Sequence, residues 1–162
     1  MLGPLIRPAR VEDADAAAAV YVASAEHHHG LDPVLYRVPA VEAVAARYRD
    51  RIPGEDDTSE LLVAEVGGQV VGTCLVRLWP ASSEASMLAP RTAVEVDVAV
   101  LSGHRGGGVG RALMEHAERW ASARGAQLVL LDAHAANTGA LAFYERLGYR
   151  RAGIVLHKPL PG

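Results

Sequence analysis

The sequence predicts an α/β fold in which one mixed sheet packs against helices. Two observations predict it. Gly67-Gly68 separates two apolar runs, residues 61–66 and 70–78, and such a turn is typical of an antiparallel hairpin. Residues 93–132 follow the order strand, helix, strand, which implies a parallel pair joined by a right-handed crossover. Because the chain has 162 residues, we expect a single domain over residues 1–162.

The first half of the chain is predicted to supply a strand and two helices before the hairpin. Residues 5–7 predict a short strand. Residues 12–25 predict a helix, because three acidic residues lie near its positive amino-terminal end. His27-His28-His29-Gly30 is expected to end this helix. Residues 41–51 predict the second helix.

The second half of the chain shows clearer secondary-structure patterns than the first half. Residues 93–100 predict a strand, and residues 109–124 predict a helix that Gly125 ends. The predicted buried face of this helix consists of Val109, Leu113, Ala117 and Trp120.

Three further elements are predicted towards the carboxyl end. Residues 127–132 contain a continuous apolar run, which is typical of a strand buried on both faces. Residues 138–147 predict a helix capped by Asn137, and residues 149–156 predict a final strand.

Composition argues against several functions. The formal net charge of −3 creates no field that would attract nucleic acid or an anionic membrane. No apolar run reaches the ~20 residues that cross a bilayer, and no secretory leader pattern opens the chain, so we expect a cytoplasmic protein. Cys74 is the single cysteine and is predicted to be a buried, unreactive thiol. A covalent acyl-cysteine route is the less favoured interpretation.

A glycine-rich turn lies between the strand at residues 93–100 and the next helix. It contains Arg105, Gly106, Gly107, Gly108 and Gly110. Free amides at a helix start point one way and carry partial positive charge, so the turn can bind an anion. It lacks the lysine of a Walker loop and comes too late for a dinucleotide fold. The diphosphate of coenzyme A is therefore the favoured ligand, and a merely structural turn is the alternative.

Two motifs carry a resemblance to a known family. The first, Arg105-Gly106-Gly107-Gly108-Val109-Gly110, is similar to the Arg/Gln-x-x-Gly-x-Gly/Ala signature of the GNAT superfamily of N-acetyltransferases. The second begins at Asn137, continues through Ala140 and Tyr144, and ends in Gly148-Tyr149. It resembles the family's Asn-x-x-Ala-x-x-x-Tyr-x-x-x-Gly-Phe/Tyr. The match is specific over residues 94–149 and looser before them.

The resemblance implies a strongly twisted mixed sheet of about six to seven strands flanked by about four helices. It implies acetyl-CoA as cosubstrate, without a metal, in a gap between two splayed parallel strands at residues 93–100 and 127–132. The cofactor-binding residues that it implies are Val98, Ala99, Val100, Arg105, Gly106, Gly107, Gly108, Val109, Gly110, Arg111, Asn137, Ala140 and Tyr144.

Tyr144 is the expected catalytic acid. By resemblance, the matching tyrosine protonates the departing thiolate, and a phenol with a pKa of about 10 can do so without a large shift. A tyrosine that only packs in the core is the alternative. Asn137 is expected to cap its helix, to bond the pantetheine arm, or to do both.

The catalytic base is predicted less narrowly. Glu95 and Asp97 lie two residues apart, so their side chains leave the same face of a strand. Either carboxylate could take the proton of the amine, directly or through water. The alternative is that the two carboxylates have no catalytic role and lie on the solvent-exposed face that ordinary strand alternation produces.

The segment after the first helix is expected to border the acceptor site in this fold. His28, His29, Asp32 and Tyr36 are therefore the candidate substrate contacts, and Asp32 could pair with an ammonium group. Three adjacent histidines lack the spacing that one metal requires on a helix. A solvated helix end is the alternative.

These features predict an N-acetyltransferase that transfers an acetyl group from acetyl-CoA to a primary amine of a small molecule or protein, by direct attack in a ternary complex. A non-catalytic acyl-CoA-binding sensor or partner-binding module on the same fold is the alternative. The resemblance is compatible with a homodimer.

Overall fold

The computed structural model describes residues 3–54, 56–83, 85–87 and 91–159. The strands are β1 (Leu5–Pro8), β2 (Ser59–Val66), β3 (Gln69–Trp79), β4 (Ala93–Val100) and β5 (Leu128–Leu130). The helices are α1 (Ala14–Leu31), α2 (Val41–Arg51), α3 (Val109–Ala123) and α4 (Thr138–Arg146). Short 3₁₀ turns lie at Val11–Asp13, Ile52–Gly54 and Ser102–His104.

The strands form one sheet in the order β1-β2-β3-β4-β5. Neighbours from β1 to β4 are antiparallel, and β4 and β5 are parallel. The β2–β3 hairpin turns at Gly67 and Gly68, whose φ angles of 58° and 81° suit glycine. α3 connects the two parallel strands. The α/β class with a mixed sheet is therefore confirmed.

Helices cover both faces of this sheet. Leu113 and Met114 of α3 pack on Val94 and Val96 of β4, and the side chains of α4 join the same core. On the opposite face, α1 and α2 bury a second core that consists of Ala9, Ala14, Ala17, Ala18, Val44, Ala45, Tyr48, Leu61 and Val63. Because strand side chains alternate, Glu95 and Asp97 point to the α1–α2 side.

Most predicted elements are confirmed with small shifts at their ends, and α2 and β4 have the predicted bounds. The predicted end of α1 was wrong, because the helix continues through the histidines and Gly30 to Leu31. One glycine in the last turn costs a helix only about 1 kcal/mol. No helix among the described residues has the length and apolar character needed to cross a bilayer.

Two corrections concern the carboxyl-terminal part. The described residues contain five strands instead of the predicted six to seven, because residues 151–159 have no regular secondary structure and pair with none of the described strands. β5 was expected to be buried on both faces, yet Leu128 and Leu130 are 41% and 46% exposed. An apolar run alone does not reveal whether both faces of a strand find a cover.

Gly72 of β3 fixes the distance between the sheet and the start of α3. A Cβ at this position would lie 3.1 Å from Leu113 Cδ1, 3.2 Å from Val109 Cγ1 and 3.2 Å from the Ala99 carbonyl oxygen. Because the carbonyl belongs to the backbone of β4, it cannot move aside easily. Gly72→Ala is expected to lower the free energy of unfolding by about 1–3 kcal/mol, the range typical of overpacked cores.

Urea unfolding monitored by circular dichroism checks this prediction. Gly30→Ala is the matched control, because a Cβ there meets no atom within 4 Å and Gly30 lies within α1. The control is expected to be neutral or slightly stabilising. Equal stability of Gly72→Ala and the wild type would contradict the close approach described here.

Candidate active site

β4 has an open edge over its second half. It pairs with β3 along its whole length, whereas β5 pairs only with residues 93–95. The Leu101 amide donates to the Val71 carbonyl on the β3 side at 2.9 Å. Because successive residues direct their amides to opposite edges of a strand, the amides of Val98 and Val100 face the open edge. The parallel pair therefore splays apart, as predicted.

The glycine loop continues from this open edge into α3. Gly106 and Gly108 have φ angles of 80° and 85°, in the left-handed region that glycine adopts without strain. Arg105 folds back, and its Nε donates to the Val100 carbonyl at 3.0 Å. The amides of residues 106–110 donate no hydrogen bond to the described part of the chain. They form a row of free donors at the positive end of α3.

Gly110 also has a packing role. A Cβ at this position would lie 3.1 Å from Cζ of Phe143, so α3 and α4 approach closely here. This contact places the middle of α4 beside the first turn of α3. Gly110 therefore brings the two helices together in addition to presenting its amide.

Tyr144 is a half-buried residue of α4. Its ring contacts those of Phe143 and Tyr149, with centroids 5.2 Å and 6.0 Å away. Burial, with a smaller effect of the Asp97 carboxylate, raises the pKa of Tyr144 to about 12. Its hydroxyl forms no hydrogen bond within the described residues. The phenol is thus protonated at neutral pH and has a free donor.

Asn137 caps α4, since its Oδ1 accepts from the Ala140 amide at 3.2 Å. The cap uses the carbonyl oxygen of the side chain and leaves the amide group free to donate. Capping and ligand binding by Asn137 are therefore compatible.

A pocket of about 210 Å³ lies between the sheet and the α1–α2 layer. Its walls come from α1, the following loop, α2 and the neighbouring strands: Tyr21, Ser24, Ala25, His28, Tyr36, Arg37, Tyr48, Leu61, Thr73, Leu75, Asp97 and Ala99. Asp97 and Ala99 belong to the half of β4 that has the open edge. The pocket therefore reaches the gap from the face opposite α3.

The two candidate bases have different surroundings. Asp97 lines the pocket, and desolvation by the surrounding protein raises the pKa of its carboxyl even though the group is accessible. Glu95 lies in a separate depression, where Oε2 accepts from Arg77 at 2.7 Å and from Trp79 Nε1 at 3.2 Å. The Glu95 carboxylate is therefore already paired, and the Asp97 carboxylate is available.

Cys74 lies fully buried on β3, where burial raises the pKa of its thiol. It carries no thiolate at neutral pH, which agrees with the predicted unreactive cysteine.

Comparison with known families gives one decisive match. The profile described as the acetyltransferase (GNAT) family matches residues 18–149. The chain belongs to the GNAT family of acetyltransferases. Its similarity to streptothricin acetyltransferase of Streptomyces lavendulae supports this membership: the two are 36% identical over 107 residues, which cover 65% of this chain. The matched region spans 52% of the length of that relative, which is about half.

Solved structures share the fold of this chain. A mutant of the BH1408 protein from Bacillus halodurans superposes with a TM-score of 0.86 at 26% identity, covering 97% of this chain and 99% of that one. Glucosamine-6-phosphate N-acetyltransferase from Arabidopsis thaliana has a TM-score of 0.69 at 19% identity, with 99% and 100% coverage. At 19% identity, the similarity to the Arabidopsis enzyme shows only that the two proteins share a fold.

GNAT enzymes take the acetyl group from acetyl-CoA, and the chain has groups that fit this cosubstrate. Free amides beside Gly106 and Gly108 suit a diphosphate, and a Cβ on either glycine would meet no atom within 4 Å. The exposed backbone of Val98 and Val100 suits the amide groups of a pantetheine arm. Thus the groups appropriate to each part of the cosubstrate follow one another along β4 and the loop.

The structure brings together only some of the predicted acceptor contacts. His28 and Tyr36 line the pocket with Asp97, and their rings lie 5.1 Å apart. His29 is exposed, and its Nδ1 contacts the Tyr36 carbonyl at 2.8 Å. Asp32 Oδ1 accepts from the amides of the following loop, outside the residues that line the pocket.

Asp32 is involved in a small polar cluster. Its Oδ2 lies 3.5 Å from His134 Nε2 and 3.2 Å from His157 Nε2. Among the described residues, no group of three or more histidine, cysteine or acidic side chains has a geometry that could hold a metal ion.

Several pocket residues of this GNAT chain were missed from the sequence. Tyr21 and Ser24 were missed, although they precede the predicted His28 at intervals of three and four residues and share one face of α1 with it. This spacing was the available signal, although it also fits ordinary core packing. Tyr48 and Thr73 carry no comparable local signal, because only the folded sheet and helices bring them to the pocket.

Proposed function

We propose that the chain is an N-acetyltransferase that transfers an acetyl group from acetyl-CoA to a primary amine by direct attack in a ternary complex. The observation that carries the proposal is the open edge of β4, which leads into the free amides of the glycine loop and borders the Asp97 pocket. A peptide-like arm can bond an unpaired strand edge, and a diphosphate can bond amides at a helix start. We also propose one domain over residues 1–162.

Asp97 is the proposed base. It is accessible from the pocket, and its raised pKa makes the carboxylate a better proton acceptor than an ordinary surface aspartate. His28 lines the same pocket, and its Nδ1 lies 2.8 Å from the Ser24 carbonyl. With Nδ1 donating to that carbonyl, Nε2 is an acceptor that can pass a proton between solvent and Asp97.

The remaining steps use the open edge and α4. The Val98 amide can donate to the thioester oxygen while this oxygen gains negative charge. As the carbon–nitrogen bond forms and the carbon–sulfur bond breaks, Tyr144 gives its proton to the leaving thiolate, and Asp97 receives the proton of the amine. Tyr144 then recovers a proton from solvent, and Asp97 releases one.

The proposed acceptor is a small molecule with a primary amine, or a larger molecule that inserts only its amine end. A cavity of about 210 Å³ is smaller than the range of about 300–1,000 Å³ typical of drug-sized ligands. Its lining contains one acidic group, Asp97, and one arginine, Arg37, and the Arg47 guanidinium lies over the Tyr21 and Tyr48 rings. The Asp97 carboxylate is therefore the group that can pair with an ammonium group. Similarity to streptothricin acetyltransferase makes streptothricin one candidate acceptor.

A thiol-release assay tests this function. The purified chain is given acetyl-CoA and a panel of primary amines that includes streptothricin, short diamines and peptide amino termini. We expect at least one primary amine to accelerate release of coenzyme A, with an equal amount of N-acetylated product by mass spectrometry. The buried thiol of Cys74 should not react with the thiol reagent, so the protein gives little background.

Matched tertiary amines are the controls, because they cannot yield a stable amide. Calorimetry with acetyl-CoA alone separates the two remaining outcomes. Binding without release by any amine would indicate the non-catalytic acyl-CoA-binding module. Absence of binding would contradict both functions.

A further inference from the structure

The walls of the Asp97 pocket carry two opposite charges. Asp97 lies on β4, and Arg37 lies on the loop between α1 and α2. Because the pocket lies between the sheet and the helical layer, the two residues belong to opposite walls. The proposed acetyl transfer gives a role to Asp97 and none to Arg37.

Neither charge is paired within the described part of the chain. Asp97 and Arg37 form no ion pair with each other, and no hydrogen bond or ion pair joins either side chain to another described residue. The next carboxylate on the same face of β4 behaves differently, since Glu95 pairs with Arg77 at 2.7 Å. An unpaired arginine is common on a protein surface, but Arg37 lines the same small cavity as an unpaired carboxylate. The pocket therefore offers partners for one cation and one anion at once.

The helical wall of the pocket carries a second positive charge. The Arg47 guanidinium of α2 lies over the rings of Tyr21 and Tyr48, 4.8 Å and 5.3 Å from their centroids. Both rings line the pocket. On the opposite wall, Asp97 is the single acidic side chain in the described lining. The cavity is thus negative on the side of the sheet and positive on the side of the helices.

The open edge of β4 determines how a ligand is oriented between these walls. Asp97 lies in the half of β4 that has this edge, where the acetyl thioester is proposed to bind. The amine of the acceptor must therefore lie beside Asp97, and the rest of the molecule extends towards the helical layer and Arg37. A guanidinium binds a carboxylate through two parallel N–H···O hydrogen bonds, which a neutral amide cannot accept as strongly.

We propose that the acceptor is a small zwitterion, an amino carboxylate whose ammonium group binds at Asp97 and whose carboxylate binds at Arg37. This inference rests on the proposed acetyl transfer, which places the amine end, and it names the class of substrate. The ammonium group releases one proton to solvent before it attacks, and the transfer then follows the steps given above. A cavity of about 210 Å³ has room for one such molecule. Arg37 is the residue that determines this specificity.

Amino carboxylates with matched neutral and dicationic analogues test the proposal. The set contains L-α-amino acids and straight-chain ω-amino carboxylates of increasing length. Each is compared with its amide, which keeps the amine without the negative charge, and each straight-chain compound also with the diamine of equal length. Calorimetry with and without coenzyme A measures binding, and the thiol-release assay measures kcat/KM. We expect the best amino carboxylate to bind about 10- to 100-fold more tightly than its amide, because it gains a charge-assisted hydrogen bond.

Substitutions of Arg37 assign this preference to one side chain. Arg37→Gln is expected to weaken binding of the amino carboxylate by about 10- to 100-fold and to change binding of the amide by less than about twofold. Arg37→Glu should reverse the preference, so that the diamine binds more tightly than the amino carboxylate. Arg37 is exposed and has no partner among the described residues, so Tm should be retained in both variants.

Arg49→Gln is the matched control for the Arg37 variants. It removes a positive charge of α2 that pairs with Asp15 and lies outside the residues lining the pocket. The preference for the amino carboxylate should persist in this control. If Arg49→Gln weakened binding as much as Arg37→Gln, a general loss of positive charge would explain the effect, and the role of Arg37 would be overturned.

The possible results separate this proposal from the proposed function. Acetylation of amides or diamines as efficiently as amino carboxylates would leave acetyl transfer intact and overturn the zwitterion proposal. Binding of an amino carboxylate that depends on Arg37, without release of coenzyme A by any amine, would support the charge assignment and contradict acetyl transfer. Absence of binding by every amino carboxylate, or equal binding to the wild type and Arg37→Gln, would overturn the zwitterion proposal directly.

Discussion

Replacing Tyr144 with phenylalanine is expected to lower kcat by about 10²- to 10³-fold, the range typical of a lost general acid. The affinity for acetyl-CoA should change by less than about twofold, because the substitution removes only a hydroxyl that forms no hydrogen bond within the described residues. The ring contacts with Phe143 and Tyr149 are retained. The loss therefore falls on the leaving thiolate, which must depart without a proton.

Steady-state kinetics with saturating amine and calorimetry with acetyl-CoA measure the two quantities separately. Tyr149→Phe is the matched control, since it removes a neighbouring hydroxyl that donates to Glu118 at 2.9 Å. This control is expected to reduce stability by roughly 1 kcal/mol and to retain most of kcat. An unchanged kcat in Tyr144→Phe would remove the proposed acid.

The pKa of Tyr144 adds a second readout. Because it is raised to about 12, the phenol remains protonated well above neutral pH. The wild-type kcat should therefore show no alkaline decline attributable to this group below about pH 10. A decline near neutral pH that disappears in Tyr144→Phe would contradict this assignment.

The geometry of the proposed cofactor side could be predicted because its signals are local in the sequence. Gly106 and Gly108 lie in one turn that immediately precedes α3, and Asn137 and Ala140 lie in the first turn of α4. Strand alternation likewise fixes which carboxylates share a face of β4. Such relations depend on short spacings that backbone geometry determines, so the fold preserves them.

The acceptor side could not be predicted to the same extent, because its neighbours are distant in sequence. Tyr21, Tyr48 and Thr73 meet only when α1 and α2 pack on the sheet. Glu95 and Asp97 look alike in sequence, but Arg77 and Trp79 pair only with Glu95. Tertiary contacts therefore distinguish the two carboxylates.

The errors at the carboxyl end have a related cause. The apolar run of β5 and the apolar residues 154–156 both have the composition of covered strands. Among the described residues, neither finds the cover that composition led us to expect.

Asp97→Asn is expected to lower kcat/KM for the amine by about 10²-fold at neutral pH, because the amide cannot accept the proton of the attacking amine. The deficit should shrink as the pH approaches the pKa of the amine, since solvent then removes that proton. In the wild type, kcat/KM should fall on the acid side as Asp97 becomes protonated, at a pH above the usual aspartate pKa of about 3.9.

The same substitution is expected to change stability in the opposite direction. Desolvation raises the pKa of Asp97 in the folded state, so the folded chain binds this proton more tightly than the unfolded chain. The charged carboxylate therefore opposes folding, and its cost develops as the pH rises from the unfolded pKa through the folded one. Removing the charge with Asp97→Asn should raise Tm at neutral pH, and the gain should disappear at low pH.

Glu95→Gln is the matched control for Asp97→Asn, on the same face of β4. Glu95→Gln removes the negative charge that pairs with Arg77, so it should lower Tm slightly. It should retain most of kcat/KM. A proton acceptor that the surrounding protein partly desolvates should combine lost activity with increased stability, because the desolvation that raises its pKa also opposes folding. If Asp97→Asn instead lost both activity and Tm, Asp97 would be a structural partner, and the base would have to be solvent or another pocket residue.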